Sequence, residues 1–113
     1  MNLLPYQEVK EKIIRLRDQD VILDFAVAEL YGVETREINQ AVKNNPKKFP
    51  MGYVLELDKE EFEVLRSKRL IASSPKSRVI PKAFTEKGLY MLATILKSGK
   101  ATETTISIIE AFA

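Results

Sequence analysis

Hydrophobic positions along the chain fall in short runs that alternate between a period of two and a period near that of an α-helix. Ile13, Ile14 and Leu16 lead into the polar break Asp18-Gln19-Asp20, and Val21-Ile22-Leu23 follows. Two β-rich runs around a polar break predict a hairpin. Asp24 then offers a helix N-cap, Phe25–Tyr31 reads as a short helix, and Gly32 is placed to end it. Thr35 offers a second cap for a helix over Arg36–Asn45, whose exit is bracketed by Pro46 and Pro50. Tyr53–Leu57 predicts a strand. Asp58 with Glu61 three residues on has the form of a capping box for a helix to Ser67 or Lys68. Leu70–Ala72 and Val79–Phe84 predict two strands around the polar loop Ser73–Ser77, with Pro81 confined to an edge or a bulge. Thr85 caps a helix expected to reach Lys97 and stop at Gly99. Ile106, Ile109 and Phe112 mark the apolar stripe of a last helix.

The pattern predicts an α+β fold: one small domain over 1–113 with a helix-turn-helix and a few short antiparallel strands, winged-helix-like. Its core is expected over 12–113, with 1–11 as an arm or short helix and the last helix truncated.

The helix-turn-helix reading rests on Asp24–Asn45. Ala28 lies four residues before Gly32, Val33 follows the glycine, and Ile38 comes six residues after it. A small residue lets two helices approach, a glycine supplies the turn, and two apolar residues plug the angle between them. Projected at about 100° per residue, Ile38, Ala41, Val42 and Asn45 fall on one side of the second helix. Arg36, Asn39, Gln40 and Lys43 fall on the other, with Thr35 at the tip. Arg and Lys suit guanine, and Asn and Gln suit adenine, so this face fits the edges of DNA bases. The alternative is a helical hairpin whose outer face is merely solvated.

Charge strengthens the first reading. The net charge is only +2, but no acid occurs between Glu63 and Glu86, a stretch holding Arg66, Lys68, Arg69, Lys76, Arg78 and Lys82. Such asymmetry points to a polyanionic partner. Helix-dipole compensation accounts for Arg66, Lys68 and Arg69 but not for the loop cations Lys76 and Arg78. Ser73-Ser74-Pro75-Lys76-Ser77-Arg78 suits a wing along a phosphate backbone, and Lys47 and Lys48 are placed to hold phosphates or simply to solvate a loop.

Histidine and cysteine are both absent. Disulfides, thiolate zinc sites and histidine-assisted nucleophilic catalysis are thereby excluded. Asp18, Asp20 and Asp24 read as a polar turn and a cap rather than a magnesium site, and Glu60, Glu61 and Glu63 as acids at a helix start. No enzymatic activity and no cofactor are expected. No run is apolar enough for a membrane span or a signal peptide, and a cytoplasmic location is expected.

Several blocks in order, Asp24–Asn45, Phe49-Pro50, Leu57–Ser67 and Pro81–Leu92, resemble the KilA-N-related N-terminal domain of phage and prophage proteins, of the ORF-six N-terminal type. The resemblance runs from about Arg15 to Phe112. It implies a DNA-binding module of phage regulators and antirepressor-like proteins, which often precedes a variable C-terminal part. Many relatives carry glycines where this chain has Ser73-Ser74-Pro75-Lys76-Ser77.

The expectation is therefore sequence-specific binding of double-stranded DNA in transcription regulation. Arg36, Asn39, Gln40 and Lys43 would read bases, Thr35 would sit at the groove edge, and Lys47, Lys48, Arg69, Lys76 and Arg78 would hold phosphates. A homodimer, and a repressor or host protein bound through a C-terminal part, are the other expected partners. The alternative is a protein-interaction module that does not bind DNA.

Overall fold

The computed structural model describes residues 6–71 and 79–113. After a short helix α1 (Tyr6–Lys10), β1 (Ile13–Leu16) and β2 (Gln19–Leu23) form the expected hairpin. Its two turn residues both have positive φ, 53° at Arg17 and 64° at Asp18, as a tight hairpin turn matched to strand twist requires. Helices α2 (Asp24–Tyr31) and α3 (Thr35–Asn44) follow, then a 3-10 turn at Pro46–Lys48 and β3 (Val54–Glu56). Next come α4 (Lys59–Ser67), β4 (Lys82–Thr85), α5 (Glu86–Ala93) and α6 (Ala101–Phe112).

The four strands make one antiparallel sheet in the order β1-β2-β4-β3. Side chains alternate across a sheet, and here both faces are covered. Ile22 and Phe84 point into a core shared with Val27, Leu30, Tyr31, Ile38, Leu89, Leu92 and Ile108. Val21, Leu23 and Ala83 point the other way, onto Leu57, Phe62, Leu65 and Ile71. The sheet thus lies between α4 on one side and the remaining packed helices on the other.

Local signals decide several boundaries. Asp58 caps α4 by accepting from the Glu61 amide (2.8 Å), and Glu61 Oε1 accepts from the Asp58 amide (2.9 Å). The Thr85 hydroxyl accepts from the Gly88 amide (3.3 Å) to start α5. It also donates to the carbonyls of Gly52 (2.8 Å) or Tyr53 (3.0 Å), tying α5 to the loop before β3.

Four expectations are corrected. Asp24 is not a cap: it is the first residue of α2, after Leu23, and its carboxylate is buried in a tertiary contact. Thr35 is the first residue of α3, and Glu34 holds the cap position. Leu70 and Ile71 form no strand; Ile71 is buried against α4, and among the described residues the last strand is Lys82–Thr85. Helix α5 ends at Ala93, well before Gly99. Helix α6 buries Ala101, Thr104, Ser107 and Ile108, packs Phe112 partly against the core and leaves Ile106 and Ile109 exposed. The reason is polar: the Thr104 hydroxyl donates to the Leu30 carbonyl (3.0 Å), and Thr105 Oγ1 lies 2.8 Å from the Tyr31 hydroxyl. The terminal carbonyls of a helix need donors, and α6 presents its hydroxyls to the end of α2. The wing loop Ser73–Ser77, with Ala72 and Arg78, lies outside the described residues.

Candidate nucleic-acid interface

Helices α2 and α3 are joined through Gly32, which has φ 70° and ψ 33°. The Gly32 amide donates to the Ala28 and Glu29 carbonyls and the Val33 amide to Ala28 (3.0 Å). This left-handed closure is the usual way to end one helix while turning the chain into the next. Ala28 is buried beside it, and Val33 and Ile38 pack into the same core. The spacing that suggested a helix-turn-helix is thus what makes the turn.

Ile38 and Ala41 anchor α3 to the core. Arg36, Gln40 and Lys43 face solvent, and Thr35 is half-buried at the tip. Arg36 Nε lies 2.8 Å from Glu34 Oε1, with both side chains mostly exposed. An ion pair in water contributes little, so this one can be exchanged for another acceptor. Gln40 Nε2 donates to Asn44 Oδ1 one turn on (2.9 Å). The helix tip is also acidic: the Glu34 amide donates to Glu37 Oε2 at 2.8 Å.

Asn39 does not share this outward face. It is half-buried, and its Nδ2 donates to Asp24 Oδ2 (3.0 Å), to which the backbone amide of Lys82 also donates (3.3 Å). Its Oδ1 is buried without a hydrogen-bond partner among the described residues. The helical projection separates residues by angle only, and Asn39 lies at the edge of the buried arc, where a carboxylate from α2 reaches it. The acidic trio near the hairpin is likewise divided: Asp20 accepts from Arg15 (3.0 Å) while Asp24 holds Asn39.

Lys47 is exposed just beyond α3, and the half-buried Lys48 donates to Thr94 Oγ1 (3.3 Å). Arg69, with φ 61°, lies in the turn after α4, in the other layer of the fold from α3. Lys76 and Arg78 are outside the described residues. Two cations not singled out from the sequence lie in the link between α5 and α6, which reaches the helix-turn-helix at Tyr31 and Gly32. The Lys100 stem approaches Gly32, its Cδ 3.4 Å from where a Cβ on that glycine would sit. Lys97 is exposed in the same segment. The acid-free interval from Lys87 to Thr102 was the available signal for both.

At the hairpin tip, the Arg17 guanidinium grips Glu61 through Nε and Nη2 (both 2.8 Å) and donates to the Glu56 carbonyl (2.9 Å). This pair, with the Asp58 amide, pulls the Glu61 carboxyl down to about 2. It fastens the hairpin to α4, and a groove of about 300 Å³ runs beside it between Arg15 and Lys68.

The chain is thus a small mixed α+β domain that presents one polar helix through a glycine turn. The model of the ORF6N domain matches residues 11–95, and the chain belongs to this phage- and prophage-associated, KilA-N-like family. No match was found among curated proteins or among solved structures. Among the described residues, no helix is long and apolar enough to cross a membrane.

Proposed function

We propose that this domain binds double-stranded DNA in a sequence-dependent way, as a phage-type transcriptional regulator or antirepressor module, with α3 entering the major groove. The observation that carries the reading is the exposed row Arg36, Gln40 and Lys43 on a helix held by Gly32 and anchored by Ile38. Arg36 suits guanine, Gln40 adenine and Lys43 guanine, while Thr35 borders the groove. Asn39 supports these readers from behind. Lys47 and Lys48, and in the same proposal Arg69, Lys76 and Arg78, serve the phosphates. The test is titration against random and selected duplexes at several salt concentrations. Neutralising about five phosphates gives a slope of log affinity against log salt near −4 to −5; a flat response refutes the reading.

A second reading, a protein-contact module, is favoured by one observation: Ile106 and Ile109 stand 44% and 45% exposed on α6. Such a module gives no salt-dependent shift with random DNA. Were the domain instead to read two half-sites as a homodimer, this stripe is where we place the pairing, and sedimentation of Ile109→Asp against the parent chain tests it.

A further inference from the structure

Residues 94–100 link α5 to α6 and form no regular structure, yet they are fastened to the helix-turn-helix at both ends. At one end Thr94 Oγ1 accepts from Lys48, just beyond α3. At the other, the Ser98 hydroxyl donates to the Tyr31 carbonyl at the end of α2 (3.3 Å), and the Lys100 stem covers Gly32, just before α3. Ile95 and Leu96 pack against the same core as Val33 and Val42. The link thus starts at a contact from beyond the end of α3 and finishes at the turn before its start. Asp24 and the start of β4 at Lys82 contact α3 elsewhere, through Asn39.

Its charge is one-sided. Between Glu86 and Glu103 the chain has no acid and three lysines, of which Lys97 and Lys100 lie in this segment and are exposed. Along the chain the next acid is Glu103, in the first turn of α6, and Glu34, two residues past Gly32, is already paired with Arg36. Apolar anchors and hydroxyl fasteners hold the backbone while two cations project; a loop made only for solubility needs no such fastening.

We infer that residues 94–100 form a phosphate-holding strap, in which Lys97 and Lys100 contact the DNA backbone bordering the groove that α3 enters. The inference rests on the DNA-binding reading and adds a binding element to it. Lysine offers phosphate a point charge without base preference, so the strap sets affinity and the seating of α3 while the helix reads sequence.

The experiment uses the full chain and duplexes of random and of selected sequence, titrated across a range of salt. Lys97→Ala/Lys100→Ala should make the salt slope shallower by about 1.8, from about 0.9 per phosphate contact. It should weaken selected and random duplexes by the same factor. Lys59→Ala, on the first turn of α4, should leave the slope unchanged. In parallel, amine-reactive labelling read by mass spectrometry should show Lys97 and Lys100 protected by DNA and Lys59 not. If the parent chain shows salt-dependent binding but the double variant keeps the same slope and both lysines stay reactive, the strap is refuted and the DNA reading stands. If Lys59→Ala changes the slope as much per charge, the effect is one of net charge, and the strap is again refuted. If the parent chain shows no salt-dependent binding, both fall together.

Discussion

The amide of Asn39 donates to Asp24 Oδ2 at 3.0 Å, so the middle of α3 is held by the first residue of α2. Because the Lys82 amide reaches the same oxygen, one carboxylate joins two helices and the start of β4. Only 5% of Asp24 is exposed, and a buried acceptor that loses its donor keeps its desolvation cost. Asn39→Ala should therefore cost about 1–3 kcal/mol in urea denaturation. Asp24→Ala should cost a similar amount, and the double variant less than the sum, as for residues in one network. On DNA, Asn39→Ala should lower affinity for all duplexes without changing preference at any one base. A preference lost at a single position would make Asn39 a reader after all.

Gly88 has a steric rather than a conformational reason to be glycine. A Cβ there would sit 2.0 Å from the Tyr53 carbonyl oxygen, and that carbonyl already accepts from the Thr85 amide and faces its hydroxyl. Backbone must move to admit even one methyl group. Gly88→Ala should lower stability by about 2 kcal/mol or more, in the range of overpacking. Gly99 has nothing within 4 Å of its Cβ position and no positive φ. Gly99→Ala should thus be neutral or stabilising by up to about 1 kcal/mol, through the unfolded chain. Thermal melts of the two variants side by side check both.

Local chemistry made much of this architecture legible. The hairpin, the end of α2 at Gly32, the capping box at Asp58 and Glu61 and the cap at Thr85 each depend on residues within a few positions of one another, and each stands where the sequence placed it. What escaped depends on distant partners. Asp24 resembles a cap until Asn39 and Lys82 arrive from elsewhere in the chain. Nothing near Thr104 and Ser107 in the chain announces that α6 buries them; Thr104 donates to the distant Leu30 carbonyl. On the outward face of α3, Arg36, Gln40 and Lys43 followed from helical period alone. Lys100 did not, because its nearness to Gly32 is made by a link that returns from α5.

The Arg17–Glu61 pair makes an acid prediction. In the unfolded chain Glu61 takes up its proton near 4.5, whereas the folded carboxylate, gripped by Arg17 and the Asp58 amide, holds out to about 2. A carboxyl with a lowered folded-state value stabilises the fold above its unfolded value and loses that contribution as pH falls through the folded one. This share of stability should be complete above about pH 4.5 and decline down to about pH 2. Glu61→Gln should be less stable at neutral pH and lose less between those limits. Urea midpoints measured from pH 7 to pH 2 decide it, and parallel curves for the two proteins would show that the pair does not couple folding to protonation.

Reading and holding should separate at Gln40 and Lys47. Gln40 is exposed on α3, and its contact to Asn44 lies within the same helix, so it can be exchanged for the edge of adenine. Lys47 stands just past the helix and offers only a point charge. Gln40→Ala should cost about 1–3 kcal/mol on the selected site and relax preference at one position. On random duplexes it should cost much less, because a neutral side chain releases no counterions. Lys47→Ala should weaken both duplexes about equally and make the salt slope shallower by about one unit. Arg36→Ala should do both at once, since its guanidinium can leave Glu34 for a guanine while still carrying charge into the groove. Titrations of the three variants on selected and scrambled duplexes across salt distinguish these patterns. Should Gln40→Ala leave base preference intact while Lys47→Ala abolishes it, α3 is not the reader, and recognition must lie in another element.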